Sequence, residues 1–359
     1  MEGLQGHAQG NHMSNTSKRA LRSLAQRVMA PVISATLRLA PYRHQLGMLL
    51  MLAVFVGAGY VCWHMVREIE FAQLRDALVG VSPQWIGGAL LAALGSYTML
   101  LGYEWSAARF AGVEVPSRSL ITAGMCASAV GNAIGLSMLS GGAVRCRLYF
   151  PHGLNAADVA RMSVFVSLAL GCALPPLAAV AALVHIDAAA LALHITPRWV
   201  IGIAVGVLAF YALTVSLLAS KRLPTQPTPY TRLFHLGRWH FRLPNTVLSL
   251  LQLVITLLDV ICAATVLYLL IPGDLPFMTF LLVYLLALAT GVLSHVPGGF
   301  GVFEAIVLTA FADQVGVAPL TAALLLYRAI YVLLPLLLAC LTLLACEAKR
   351  LLQHRRHTS

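Results

Sequence analysis

The 359-residue chain is 59% hydrophobic and only 10% charged, with a mean hydropathy of +0.83. Soluble proteins carry about 25% charged residues, so a soluble enzyme is excluded and an all-α integral membrane protein is expected. The net charge of +11 is gathered in blocks beside apolar runs, which is the positive-inside pattern and not a nucleic-acid-binding face.

Residues 1–45 form a basic segment holding Lys18, Arg19, Arg22, Arg27, Arg38 and Arg43. This segment lacks the pattern of a cleaved signal peptide. The membrane domain is expected over residues 46–346. Its apolar runs approach the ~20 residues that span a bilayer, at 46–66, 85–105, 120–139, 160–184, 200–219, 246–271, 277–296 and 320–346. A second basic block, residues 221–245, contains Lys221, Arg222, Arg232, Arg238 and Arg242 and no acidic residue. Residues 347–359 form a third, with Lys349, Arg350, Arg355 and Arg356.

Eight plain crossings from a cytoplasmic N-terminus would leave the central basic block outside, against the charge rule. The conflict disappears if residues 120–139, "LITAGMCASAVGNAIGLSML", enter and leave on one side as a broken, re-entrant pair. The second half repeats the plan, with a break at "PGGFG" inside residues 277–313. Each half then has two spans, a re-entrant hairpin with a Gly-Gly pair (Gly141-Gly142; Gly298-Gly299) and a closing span. That is an inverted repeat of about 46–184 and 198–346, a transporter plan with its site at the interrupted segments. Eight simple crossings remain the alternative.

The second break is "SHVPGGFGVFEA". Pro297 stops the preceding helix, while Gly298, Gly299 and Gly301 permit a tight turn. The next helix then presents unpaired N–H groups that attract anions. Glu304 falls in its first turn, and His295 belongs to the same break. Arg328, in "YRAIY", is eight residues into the last run, with Tyr327 and Tyr331 sharing one helical face beside it. Asp259 lies inside "LLDVICAA" and must be paired, protonated or wet. Arg145 and Arg147 follow the first glycine pair. Each has a plainer explanation: Glu304 as a helix cap, Arg328 as a partner of Asp259 or Glu304, Arg145 and Arg147 as flanking charges, His295 as a satisfied polar group. Glu104 and Arg161, near run ends, are expected to snorkel.

The seven cysteines are scattered without a C-x-x-C or Cys/His cluster, so no metal site or disulfide frame is expected. Nor is there a dinucleotide or P-loop signature, and no cofactor is expected. "GGAVRCRLYFPHGL", "SHVPGGFGVFEA" and "AALLLYRAIYVLLPLLLA", in this order, resemble the membrane domain of the multiple peptide resistance factor family, the bacterial lysylphosphatidylglycerol synthase/flippases, and its stand-alone inner-membrane relatives. The resemblance covers about residues 46–346. It implies an inner-membrane protein that translocates an anionic or aminoacylated phospholipid; the basic blocks at the two ends, by the charge rule, put both termini in the cytoplasm. The family's cytosolic aminoacyltransferase domain is not expected in 13 residues after the last span. Membership as the membrane part of such a transferase, or as a non-transporting scaffold, stays open, as does homo-oligomerisation. The phosphate is expected at Arg328, with Glu304 balancing charge and Arg145 and Arg147 receiving the headgroup at the cytoplasmic mouth.

Overall fold

The computed structural model describes residue 56 and residues 81–134, 137–193, 195–219, 225–227, 230–236, 239–294 and 296–358. The run at 46–66 and the basic segment before it lie outside them, as does His295. The fold is all-α in its membrane part. Helices α1 (Pro83–Ala111), α2 (Ser117–Ile134) and α3 (Ser137–Tyr149) are followed by α4 (Ala156–Val184), the short α5 (Ile186–Leu193) and α6 (Pro197–Ala219). After the central block come α7 (Thr246–Leu270), α8 (Phe277–Leu293), α9 (Val302–Val315) and α10 (Val317–Tyr327). A π-helical turn, Arg328–Leu333, joins α10 to α11 (Leu334–Thr358).

Among the described residues, five helical stretches are long and apolar enough to cross a membrane: α1, α4, α6, α7 and the continuous Val317–Lys349. Each expected hairpin contains a short helix. At 1.5 Å per residue, α3 with 13 residues and α9 with 14 reach only about 20 Å, well short of a ~30 Å hydrocarbon core. In both halves a long helix (α1, α7) is followed by a hairpin of shorter helices (α2–α3, α8–α9) and then by a long closing stretch. Side chains such as Leu91, Ile203, Phe210 and Val254 stay exposed, an apolar surface suited to lipid.

The longest interface joins α1 and α7 antiparallel, and its cause is legible along α1. Gly88, Gly95 and Gly102 recur every seven residues and face Leu269, Cys262 and Ile255, themselves seven apart. A Cβ at any of the three would come within 3.1–3.3 Å of its partner, so small residues let these backbones approach. Polar pairs stitch the same seam: Ser106 bonds Gln252, and Ser96 bonds Asp259.

Two expectations change. Gly141 and Gly142 are not a break; both lie inside α3, which begins at Ser137, while α2 ends at Ile134. Glycine permits a turn without forcing one, and here it serves packing: a Cβ on Gly141 would lie 3.0 Å from the Ala127 carbonyl of α2. The central basic block, read only as a loop, contains a three-stranded antiparallel sheet, β1 (Thr225–Pro227), β2 (Thr231–Leu236) and β3 (Trp239–Pro244). Arg242 ties it to the membrane part, donating to the Phe110 and Ala111 carbonyls at the C-terminus of α1, where a cation suits the helix dipole.

Candidate functional site

The second break forms as Pro297 and the glycines require. α8 ends at Leu293, Pro297–Gly299 make a single 3-10 turn, and Gly298, Gly299 and Gly301 hold φ of 61°, 65° and 78°. Other residues rarely adopt this left-handed region. A Cβ on Gly298 would also meet the Phe300 ring at 2.7 Å and the Ala133 carbonyl at 3.0 Å. The tip of the second hairpin therefore abuts the end of α2, and the two hairpins meet tip to tip.

Glu304 occupies the third position of α9, and its Oε2 accepts the Gly301 N–H at 2.8 Å. Its other oxygen, Oε1, receives Nε of Arg328 at 2.7 Å, with Nη2 also at 2.7 Å. Nη1 of Arg328 donates to the Gly298 carbonyl at 2.8 Å. The guanidinium lies 4.4 Å from the Phe300 ring centre and 5.6 Å from that of Phe303. Both plainer readings thus hold in this state: Glu304 caps α9, and Arg328 pairs with Glu304 and not with Asp259. Arg328 pins the closing span to both sides of the break.

The π turn that begins at Arg328 has a local cause in Pro335. Proline lacks the N–H that would bond the carbonyl four residues back and collides with it. That carbonyl belongs to Tyr331, and it accepts the Tyr97 hydroxyl at 3.3 Å instead. π-bulges often mark functional segments. Here the turn brings Tyr327 and Tyr331 into a stack 5.4 Å apart, extended by Phe303 at 5.8 Å. Tyr284 contacts the Tyr327 hydroxyl at 2.9 Å.

These groups line a cavity of about 410 Å³ between the hairpin tips. Its wall includes Asn132 and Ser137 from the first hairpin, Gly298 and Gly299 from the second, and Arg145, Asp259, Tyr327, Arg328 and Tyr331. Gly131, Asn132, Ser137 and Met138 line this cavity in the place expected for Gly141-Gly142.

Asp259 is 6% exposed and accepts the Ser96 hydroxyl at 2.5 Å; Ser96 in turn contacts the Tyr331 hydroxyl at 2.8 Å. Arg145 is 3% exposed and donates Nε and Nη2 to Glu104 at 2.8–3.0 Å, while the Tyr149 hydroxyl donates to the same carboxylate at 2.7 Å. Arg147 makes a two-toothed pair with Glu347 of α11 at 2.7 and 2.5 Å. Arg145 is therefore a buried wall residue, not an open mouth, and Arg147 braces α3 against the last helix. Glu104 does not snorkel: it is fully buried. Arg161 is exposed and bonds Asp158 three residues away. The reading from sequence missed Tyr149, Ser96 and Tyr284, and placed Glu104 at the membrane surface. Only Glu104 carried a signal, because helix α1 continues to Ala111 and leaves it inside the element.

Comparison with known proteins supplies context. A family described as the lysylphosphatidylglycerol synthase TM region matches residues 48–339. An uncharacterised protein of Synechocystis sp. PCC 6803 is 33% identical over 279 residues, 77% of this chain and 83% of that protein. The Escherichia coli inner membrane protein YbhN is 34% identical over 112 residues, 30% of this chain and 35% of its own length. A phosphatidylglycerol lysyltransferase of Staphylococcus aureus is 26% identical over 300 residues, 78% of this chain but 32% of that enzyme.

Proposed function

This chain belongs to the lysylphosphatidylglycerol synthase TM region family, and on that premise we propose that it moves an anionic or aminoacylated phospholipid between the leaflets of a bacterial inner membrane. The observation that carries the reading is Arg328: a guanidinium on the wall of a cavity between two interrupted helix pairs, held by a carboxylate and a backbone carbonyl. A planar guanidinium matches phosphate oxygens in a two-toothed geometry that lysine does not offer. A phosphate at this place would take over the positions of Glu304 Oε1 and the Gly298 carbonyl oxygen. Glu304 keeps the Gly301 N–H, so the α9 cap survives the exchange. The carboxylate released from Arg328 is then available to a cationic headgroup.

Arg145 stands at the cavity wall already neutralised by Glu104, so its contribution to an incoming anion is smaller than that of an unpaired cation. In this reading the hairpins α2–α3 and α8–α9 are re-entrant from opposite faces. The halves 46–184 and 198–346 are inverted repeats, and the basic block 221–245 and both termini face the cytoplasm, as the charge rule asks. The relative named phosphatidylglycerol lysyltransferase favours a second reading, the membrane part of a lipid aminoacyltransferase. In that case the same cavity would serve its lipid product.

The test is the flipping rate of a headgroup-labelled phosphatidylglycerol in vesicles, measured with thermal stability. Arg328→Lys keeps the charge but loses the fork, so a folded protein with at least tenfold slower flipping is expected, about the 1.4 kcal/mol of one charge-assisted bond. Glu304→Gln is expected to alter headgroup preference. Normal flipping by a stable Arg328→Lys protein would remove Arg328 from the mechanism.

A further inference from the structure

Asp259 is the carboxyl group of this cavity that no cation among the described residues answers. Among the described residues, Arg145 and Arg328 are each engaged by a glutamate, Glu104 and Glu304, and no ion pair reaches Asp259. An isolated ionised carboxylate in low dielectric is unfavourable by many kcal/mol, so such a group takes a proton unless something compensates it. What surrounds it is hydroxyls: Ser96 and Tyr103 from α1, Tyr331 from the π turn, and Tyr327 and Tyr284 along the same wall. Cys262 follows one turn later on its own helix, and Tyr97 stands behind Tyr331.

The hydrogen bonds have a direction. With Asp259 ionised, Ser96 gives its one proton to Asp259 Oδ1, so in the 2.8 Å contact it is Tyr331 that donates to Ser96. Both protons point towards the carboxylate, as an ionised acceptor requires. Once Asp259 is protonated, its own O–H becomes the donor. Ser96 is then free to turn its proton to Tyr331, and the chain reverses. Tyr331 sits in the turn that starts at Arg328, so the hydrogen-bond chain from Asp259 ends in the segment that carries Arg328.

We propose that Asp259 is a proton-binding site linked to occupancy of the cavity by an anionic headgroup, one proton entering with one anion. The proposal rests on the transport reading above and supplies it with a coupling ion. The step balances simply: a proton leaves water, an O–H bond forms at Asp259, and the same proton returns to water when the headgroup departs. An anion beside Arg328 makes the ionised form of Asp259 less favourable. By reciprocity, the protonated form binds the anion more tightly.

The experiment uses the full chain in nanodiscs of phosphatidylcholine and a short-chain fluorescent phosphatidylglycerol, with Kd measured from pH 5 to 9. The wild-type Kd is expected to rise with pH, approaching tenfold per unit where the linked proton titrates. Asp259→Asn, nearly isosteric, is expected to hold the low-pH affinity at every pH. Ser96→Ala is expected to move the midpoint, and Glu304→Gln to keep the slope. A wild-type slope retained in a folded Asp259→Asn protein, or a wild-type Kd that does not change with pH, would overturn the proposal. Binding that is absent at every pH, or indifferent to Arg328→Lys, would instead bring down the transport reading and the coupling with it.

Discussion

Replacing Glu104 by glutamine tests how the first hairpin is held. Glu104 on α1 is fully buried and receives two nitrogens of Arg145 and the Tyr149 hydroxyl. Arg145 and Tyr149 are four residues apart on α3 and so share one face. The arginine remains charged in any protein environment, so glutamine leaves a buried guanidinium facing an amide. Breaking a buried pair by removing one partner typically destabilises by about 3–5 kcal/mol. At 2–4 °C per kcal/mol, a value for soluble domains, this lowers the thermal midpoint by roughly 10 °C. Space is tight, because a Cβ on Gly124 of α2 would lie 3.1 Å from Glu104, and so the substitutions must conserve volume. Arg145→Met alone strands the carboxylate and should cost a similar amount. The double variant Glu104→Gln, Arg145→Met removes both charges, and much of the loss should return, since paired apolar or neutral replacements are often near neutral. The assay is thermal unfolding of the detergent-solubilised protein followed by size-exclusion chromatography. Losses that simply add in the double variant, or a Glu104→Gln midpoint within 2 °C of wild type, would refute the buried-pair account.

Two further substitutions probe the break and the π turn. Gly298→Ala places a methyl group against the Phe300 ring at 2.7 Å and the Ala133 carbonyl at 3.0 Å, on a backbone with φ of 61°. A stability loss of about 1–3 kcal/mol is expected, read as a lower thermal midpoint; an unchanged midpoint would contradict the tip-to-tip contact. Pro335→Ala restores an N–H to bond the Tyr331 carbonyl. The π turn should then relax towards α-helix, rotating Arg328 away from Glu304, which a structure of the variant or loss of lipid binding would reveal; a preserved π turn would show that proline is not its cause.

What the sequence disclosed, and what it withheld, follows from the range of each interaction. Pro297 forces a helix to stop, and the second break sits where it was expected. Gly141-Gly142 has no such proline, and within an apolar run a glycine pair is equally compatible with close helix packing, which is the role it has. The seven-residue recurrence of Gly88, Gly95 and Gly102 was readable as a close-approach stripe without any structure. Its partner helix was not, because nothing local to α1 names α7. Glu104 shows the same limit: a carboxylate inside a helix demands a partner, but Arg145 becomes that partner only when α2 and α3 fold back onto α1.

The choice between Asp259 and Glu304 as partner of Arg328 was, by contrast, decidable from residue spacing. Glu304 lies 12 residues before Gly316 (316 − 304) and Arg328 lies 12 after it (328 − 316). "VGVAP" is a helix stop followed by a restart: glycine ends one helix and a proline stands in the first turn of the next. Gly316 does adopt φ 92° between α9 and α10. Two arms running antiparallel from one hinge return to the same level when their lengths match, here about 18 Å at 1.5 Å per residue. Equal spacing about the hinge therefore sets Glu304 beside Arg328 before any long-range packing is known. Asp259 and Arg328 are 69 residues apart (328 − 259) with α8, α9 and their turns between them, so no single hinge relates the two. By that arithmetic Arg328 is taken by Glu304, and Asp259 is left to the hydroxyl of Ser96.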